Sequence, residues 1–512
     1  MKKFTIKDAK DMTIEELIGQ VIMIGLPGKE LDDDYRNFIK DYKIGNYILF
    51  ARNYQDTKQM KMFMKDLYEQ AMEVCGSYPL VSIDQEGGMV VRLFKDVTFP
   101  ASPMTTSATT NPLAPYITGK IIASDMLKMG INFNLAPCLE INKELESPLM
   151  NVRSYGGTKE LVLKNAKLFV QGIQDTGCIA CLKHYPGSGS TEKDSHLELP
   201  IIDEEKDKLL NYNMYPFFNI QEAKALMTSH CVYSAFDSLP STLSSVLLTK
   251  TLREDTKYNG IIISDGMEMH AILDNYGIEE GTIMALNAGC DLLLLCHDYD
   301  YQKMSLDALI NAVRNGRIKK ELLIEKVERI NKAKEELIES LEKHFNLDDY
   351  IVNLEEHKIM EEIVDNSYTL IKGNAPVLKE KTLIISSTTK VASIVEDEFD
   401  NYNLTTSLKK EFKNHDIIDF NEISSSLDTT NYENIIIYSY DTHNNQKQIN
   451  IILDILKTQK EVYLVSLKGP LEKKHFENIK NYACLYEYTP NSIKTVIKQL
   501  KGEIGLNGKL PK

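Results

Sequence analysis

The stretch from Cys178 to Leu199 reads CIACLKHYPGSGSTEKDSHLEL. An apolar run, Cys178 to Leu182, ends in Lys183 and His184; a Pro/Gly/Ser turn follows, then Asp194-Ser195-His196. A strand that ends in charge and opens into a loop carrying an Asp/His pair is a poor way to build a core. It is a good way to bind a polar ligand and move a proton. In extended backbone, residues two apart share a side. Asp194 and His196 can therefore meet, the carboxylate orienting the imidazole and favouring its charged form.

Outward from this stretch, short apolar runs recur at 20–26, 44–50, 80–84, 131–135, 178–183, 225–230, 260–265 and 291–296. Helix-period segments lie between them, among them 58–74, 160–175 and 203–220. Eight such βα units predict an α/β fold, a (β/α)8 TIM-type barrel. The strand ends agree. The third ends in Asp84-Gln85-Glu86-Gly87-Gly88, the fifth in Lys183-His184, the sixth in Ser229-His230 and the seventh in Ser264-Asp265-Gly266. Barrel active sites sit at the C-terminal ends of the strands, where this charge gathers.

Residues 303–361 are rich in Lys, Glu, Leu and Ile at helical spacing. Apolar runs then return at 382–385, 417–420, 435–438 and 462–465. The predicted organisation is a barrel over 1–345, a helical connector over 346–370 and a smaller, mostly parallel αβα sandwich over 371–512. The sandwich carries no Gly-rich phosphate loop and no cluster of catalytic residue types, so it reads as a structural or partner domain.

With 512 residues, 43% apolar and 26% charged, the chain has the composition of a soluble multidomain protein. A net charge of −15 argues against a general nucleic-acid surface. No apolar run approaches the roughly 20 residues of a membrane span. The first residues have cations but no apolar signal core, so a cytoplasmic location is expected. The eight cysteines are scattered. Cys178 and Cys181 fall on a strand, where residues three apart face opposite ways, which argues against a redox or zinc pair.

Asp265 closes a buried β-branched strand, a costly place for a carboxylate unless it is hydrogen-bonded or functional. A carboxylate there can attack a sugar anomeric carbon. Asp84 can accept from sugar hydroxyls; Arg92, Lys183 and Arg153 can donate. His184 follows Lys183 directly, so the strand must bend if both reach a ligand. His230 can orient Asp265 or line the pocket.

Together these residues resemble glycoside hydrolase family 3, in its two-domain β-N-acetylglucosaminidase branch. The matching pieces are Asp84-Gln85-Glu86-Gly87-Gly88 with Arg92, Arg153-Ser154-Tyr155-Gly156, Lys183-His184-Tyr185-Pro186-Gly187, Asp194-Ser195-His196 and Ser264-Asp265-Gly266-Met267. Pro240-Ser241-Thr242-Leu243-Ser244 and the terminal Gly508-Lys509-Leu510-Pro511 are similar too. The resemblance implies a retaining exo-β-N-acetylhexosaminidase acting in cell-wall recycling. It makes Asp265 the nucleophile, His196 the general acid/base and Asp194 its partner. Asp84, Arg92, Arg153, Lys183 and His184 would bind the terminal N-acetylglucosamine. The partner is a carbohydrate, with no nucleic acid, membrane, cofactor or metal expected; the first strand offers no His-x-His.

Three positions depart from the family pattern. Met89 stands where arginine is usual, Ser188 where histidine is usual, and Gly266 where aspartate or alanine is common. The alternatives are a family-3 enzyme on another β-glycoside, such as a glucoside or xyloside, and a degenerate sugar-binding protein. Because the acid/base pair belongs to the barrel, residues beyond about 370 are expected to be dispensable for the chemistry.

Overall fold

The computed structural model describes residues 6–145, 147, 150–187, 198–345, 353–388, 403–424 and 427–512. Eight parallel strands close into a barrel: β1 (Ile22–Gly25), β2 (Asn46–Leu49), β3 (Leu80–Ile83), β4 (Phe133–Asn134), β5 (Ile179–Tyr185), β6 (Ala225–Thr228), β7 (Ile261–Gly266) and β8 (Leu292–Leu295). Each pairs with its sequence neighbours, and β1 closes on β8 through Ile22–Leu293 and Ile24–Leu295. The strands read as continuous apolar runs because helices cover the outside and side chains fill the inside. β4 is two residues long, but Asn132 and Leu135 extend its hydrogen bonding to β3.

Local chemistry sets the helix ends. The helix Thr57–Cys75 starts where the Asp56 carboxylate accepts from the Gln59 N–H at 2.8 Å, and stops at Gly76 in the left-handed region. The helices Ala114–Lys128 and Lys159–Thr176 cross where Gly172 leaves room; a methyl group on it would lie 2.1 Å from the Tyr116 carbonyl oxygen. The predicted helix over 203–220 is instead three short pieces, Lys206–Lys208, a π-helical turn Leu209–Asn213 and Tyr215–Phe218. Pro216 lacks the N–H that a continuous helix needs there.

The long helix Lys320–His344 ends the barrel, and Leu354–Asp365 leads to a second sheet. That sheet has six strands: β9 (Thr369–Lys372), β10 (Thr382–Ser386), β11 (Asp416–Asp419), β12 (Asn434–Ser439), β13 (Glu461–Ser466) and β14 (Asn481–Cys484), in the order 9-14-13-12-10-11. All neighbours are parallel except β9 against β14. β9 begins just inside the predicted connector.

The second domain is sealed onto the barrel at its C-terminal mouth. Glu487, wholly buried, accepts from the Ser102 N–H at 2.8 Å and the Thr105 hydroxyl at 2.7 Å. The Asn151 amide donates to the Lys468 carbonyl at 3.0 Å. The chain terminus returns as well: Gly157 N–H donates to the Pro511 carbonyl at 3.0 Å, and Lys509 N–H to that of Ala108 at 2.8 Å. Met89 is buried in one apolar cluster with Tyr440, Leu467 and Leu485 of the second domain.

Candidate active site

The turn after β3 is built before any ligand arrives. The Asn134 amide at the end of β4 accepts from Gln85 N–H at 3.1 Å and donates to Gln85 C=O at 3.0 Å. The Gln85 side chain then closes the loop, accepting from the N–H groups of Arg92 (2.8 Å) and Leu93 (3.1 Å) and donating to the Leu93 carbonyl (3.0 Å). Gly88 has a φ of +63°, and a methyl group on it would lie 2.5 Å from the Ser102 Cβ. A side chain is excluded there on two grounds.

This loop presents a buried charge cluster. Lys183 Nζ, from β5, lies 2.7 Å from both Asp84 Oδ1 and Glu86 Oε1. Arg153 takes Glu86 in a fork, Nε to Oε2 at 2.9 Å and Nη2 to Oε1 at 2.8 Å. Arg92 Nη2 is 3.8 Å from Asp84 Oδ2. Burial alone would raise the Glu86 carboxyl, but Arg153 and Lys183 outweigh it and hold the group well below the usual carboxylate range. Burial would lower the Lys183 ammonium; Asp84 and Glu86 hold it above its ordinary value. Both groups stay charged, and each fixes the other.

His184 follows through a cis peptide, and the ladder between β5 and β6 shifts register between Leu182 and Tyr185. Its backbone N–H and its Nδ1 both reach Glu140 Oε1, at 2.9 and 2.8 Å. A carboxylate at Nδ1 requires the proton there, which leaves Nε2 for another partner.

Asp265 closes β7, half-buried, with Oδ1 accepting from its neighbour Gly266 N–H at 2.8 Å. Beyond burial itself, Glu268, Asp265 and Asp84 push the buried Cys296 thiol up, so both aspartates border the same end of the barrel. His230 has no exposed surface. Its Nε2–H donates to the Gly266 carbonyl at 2.9 Å, and its Nδ1 is 2.8 Å from Thr242 Oγ1. Its two expected parts are orienting Asp265 or lining the pocket; the bond it makes is to the Gly266 carbonyl, one residue past Asp265.

Asp194 and His196, with Ser188, lie outside the described residues. The flanks of their loop are anchored to the segment after β6. The Tyr233 hydroxyl donates to the Gly187 carbonyl at 2.7 Å, and Ile201–Ile202 pairs with Val232–Tyr233. Sequence reasoning missed Glu86 and Glu140 as site residues. Glu86 was visible as an acid in an apolar, Gly-rich turn, and Glu140 as an acid after the fourth apolar run. Their partners, however, come from other strands. Met89 is spent on the domain junction.

A closed parallel barrel with a fixed carboxylate and a charge-matched cluster at its C-terminal mouth defines an enzyme that handles polar, hydroxyl-rich ligands. The sequence profile of the Glycosyl hydrolase family 3 N terminal domain matches residues 13–333. The chain belongs to glycoside hydrolase family 3 and is a glycoside hydrolase. It is 30% identical over 336 residues to the Beta-hexosaminidase A of Pseudoalteromonas piscicida, an alignment covering 60% of this chain but 56% of that protein. It is 32% identical over 295 residues to the Beta-hexosaminidase of Glaesserella parasuis serovar 5 (strain SH0165), covering 56% of this chain and 84% of that one. The fold matches a glycoside hydrolase family 3 beta-N-acetylglucosaminidase from Paenibacillus sp. str. FPU-7 with a TM-score of 0.90, 31% identity and 98% of each chain covered.

Proposed function

We propose that the protein is a retaining exo-β-N-acetylhexosaminidase that releases terminal β-linked N-acetylglucosamine. The observation that carries this reading is the cluster of Asp84, Lys183, Glu86 and Arg153 beside Asp265 and His184. Sugar hydroxyls both donate and accept, and the cluster offers fixed groups of each kind. The preference for an N-acetyl sugar rests on the similar Paenibacillus structure, which is named a beta-N-acetylglucosaminidase.

In this reading the Asp265 carboxylate attacks the anomeric carbon as the glycosidic bond breaks, and the leaving oxygen takes a proton from the His196 imidazolium. The freed imidazole, oriented by Asp194, next takes a proton from water as that water cleaves the sugar–Asp265 ester. A histidine with an ordinary pKa near ~6.5 can serve as acid and then base around neutral pH. Muropeptides released in cell-wall recycling, met in the cytoplasm, are the substrates to which the resemblance points.

The test is hydrolysis of a nitrophenyl β-N-acetylglucosaminide against the corresponding β-glucoside, with muropeptide as a third substrate. Preference for the glucoside would favour the other β-glycosidase reading. Binding without turnover would favour a sugar-binding protein.

A further inference from the structure

Behind the charge cluster three unlike side chains converge. Ligand atoms of Cys138, Glu140 and His184 all lie within 4.8 Å of one another. Cys138 and Glu140 are two residues apart on the extended backbone after β4. That backbone is pinned to β5, with Cys138 bridging Lys183 and Leu139 N–H donating to the Lys183 carbonyl at 2.7 Å. Glu140 is 3% exposed, and its Oε2 is buried with no hydrogen-bond partner among the described residues. An unpaired buried carboxylate oxygen is costly and calls for a partner. Nothing in the proposed hydrolysis uses Cys138.

We propose that Cys138, Glu140 and His184 form a site for one thiophilic divalent cation, with zinc as the reference ion, and that filling it withdraws His184 from the sugar. The second half rests on the reading that His184 contacts sugar; the first does not. Thiolate, imidazole and carboxylate are zinc's preferred ligands, with solvent completing a tetrahedron. Metal–ligand bonds of about 2.0–2.3 Å place the ligand atoms roughly 3.3–3.6 Å apart. The Nδ1–Oε1 pair, now at 2.8 Å, must open to admit the ion.

On binding, the Cys138 thiol releases its proton to solvent, and burial, which holds that thiol protonated, is answered by the metal's own charge. The cation replaces the proton on Nδ1, which passes to water, and in a neutral ring Nε2 takes one back from water, so only the thiol proton is released on balance. The ring turns toward the metal, and its remaining nitrogen is held as a donor. The site is therefore inhibitory, apart from the hydrolytic chemistry, and no oxidation state changes.

Cobalt(II) reports a thiolate ligand by its charge-transfer absorption, whether or not the protein hydrolyses anything. Titration of the full chain should give this band at one equivalent, and Cys138→Val, close in shape, should lack it. Melting curves of both proteins verify folding, with Cys138→Ser as the second variant. Zinc should inhibit wild-type hydrolysis, reversibly by EDTA, and the half-inhibiting concentration should rise roughly 10- to 100-fold or more in Cys138→Val. No band in wild type, or an equal band in Cys138→Val, overturns the site. A band with equal zinc inhibition of both proteins overturns the effect on His184 while the site stands. Absence of any hydrolysis would instead overturn the proposed function and leave the cobalt result readable.

Discussion

Lys183 Nζ and Glu86 Oε1 meet at 2.7 Å with their side chains 2% and 1% exposed, an ion pair shut inside the mouth of the barrel. Arg153 completes Glu86 and Asp84 completes Lys183, so removing one member strands the others. Glu86→Gln should lower unfolding stability by about 3–5 kcal/mol, the cost of breaking a buried pair. Because the Glu86 carboxyl is depressed, its contribution is present above the unfolded carboxylate pKa of about 4.3 and fades as pH falls below it. Urea melts of wild type and variant should therefore converge in acid. Parallel curves down to low pH would show that Glu86 is not held charged.

His230 holds the Gly266 carbonyl, one residue past the proposed nucleophile. His230→Phe should keep the fold but let Asp265 drift, lowering kcat roughly 100-fold with a smaller change in KM. A rise in KM alone would place His230 in sugar binding instead.

Glu487 reaches from the second domain to Ser102 and Thr105 beneath the Gly88 turn. Glu487→Ala should cost about 1–3 kcal/mol for each polar group left unpaired. KM should rise with it, because Met89 and Asn151 tie the loops proposed to bind sugar to the same junction. The loops that carry Asp84 and Arg153 are thus braced from outside the barrel. An unchanged melting temperature and KM in Glu487→Ala would show the junction to be incidental.

In the second domain Glu472 is wholly buried, and burial pushes its carboxyl up to about 7. The folded state thus keeps the proton that the unfolded state loses near about 4.3. The cost is absent below that pH, grows up to about 7 and is full above it. Glu472→Gln should stabilise the protein by roughly 1–3 kcal/mol at pH 8 and hardly at all at pH 4.5. A gain at acid pH would reverse the sign and refute the assignment.

The barrel was legible because parallel strands buried on both faces leave unbroken apolar runs, such as Ile261 to Ile263 and Leu292 to Leu295. The placement of Asp84, Lys183 and Asp265 at the strand ends was legible because each charge closes such a run. β9 was not: Thr369 is buried, but Leu370 and Lys372 are exposed at the sheet's edge, so no apolar run announces it. β14, Asn481–Cys484, lacks β-branched residues altogether. The contacts of Glu86 and Glu140 come from neighbouring strands and their loops, which spacing along the chain does not encode.

The most direct measurement is turnover of the nitrophenyl β-N-acetylglucosaminide by wild type, Asp265→Ala and His196→Ala, with the β-glucoside as control. The N-acetyl substrate should be preferred, Asp265→Ala should lose nearly all turnover, and added azide should rescue it as a glycosyl azide. For His196→Ala, a substrate with a better leaving group should recover the first step, since it needs no proton. Full activity in either variant would contradict the mechanism, and equal or better hydrolysis of the glucoside would contradict the substrate.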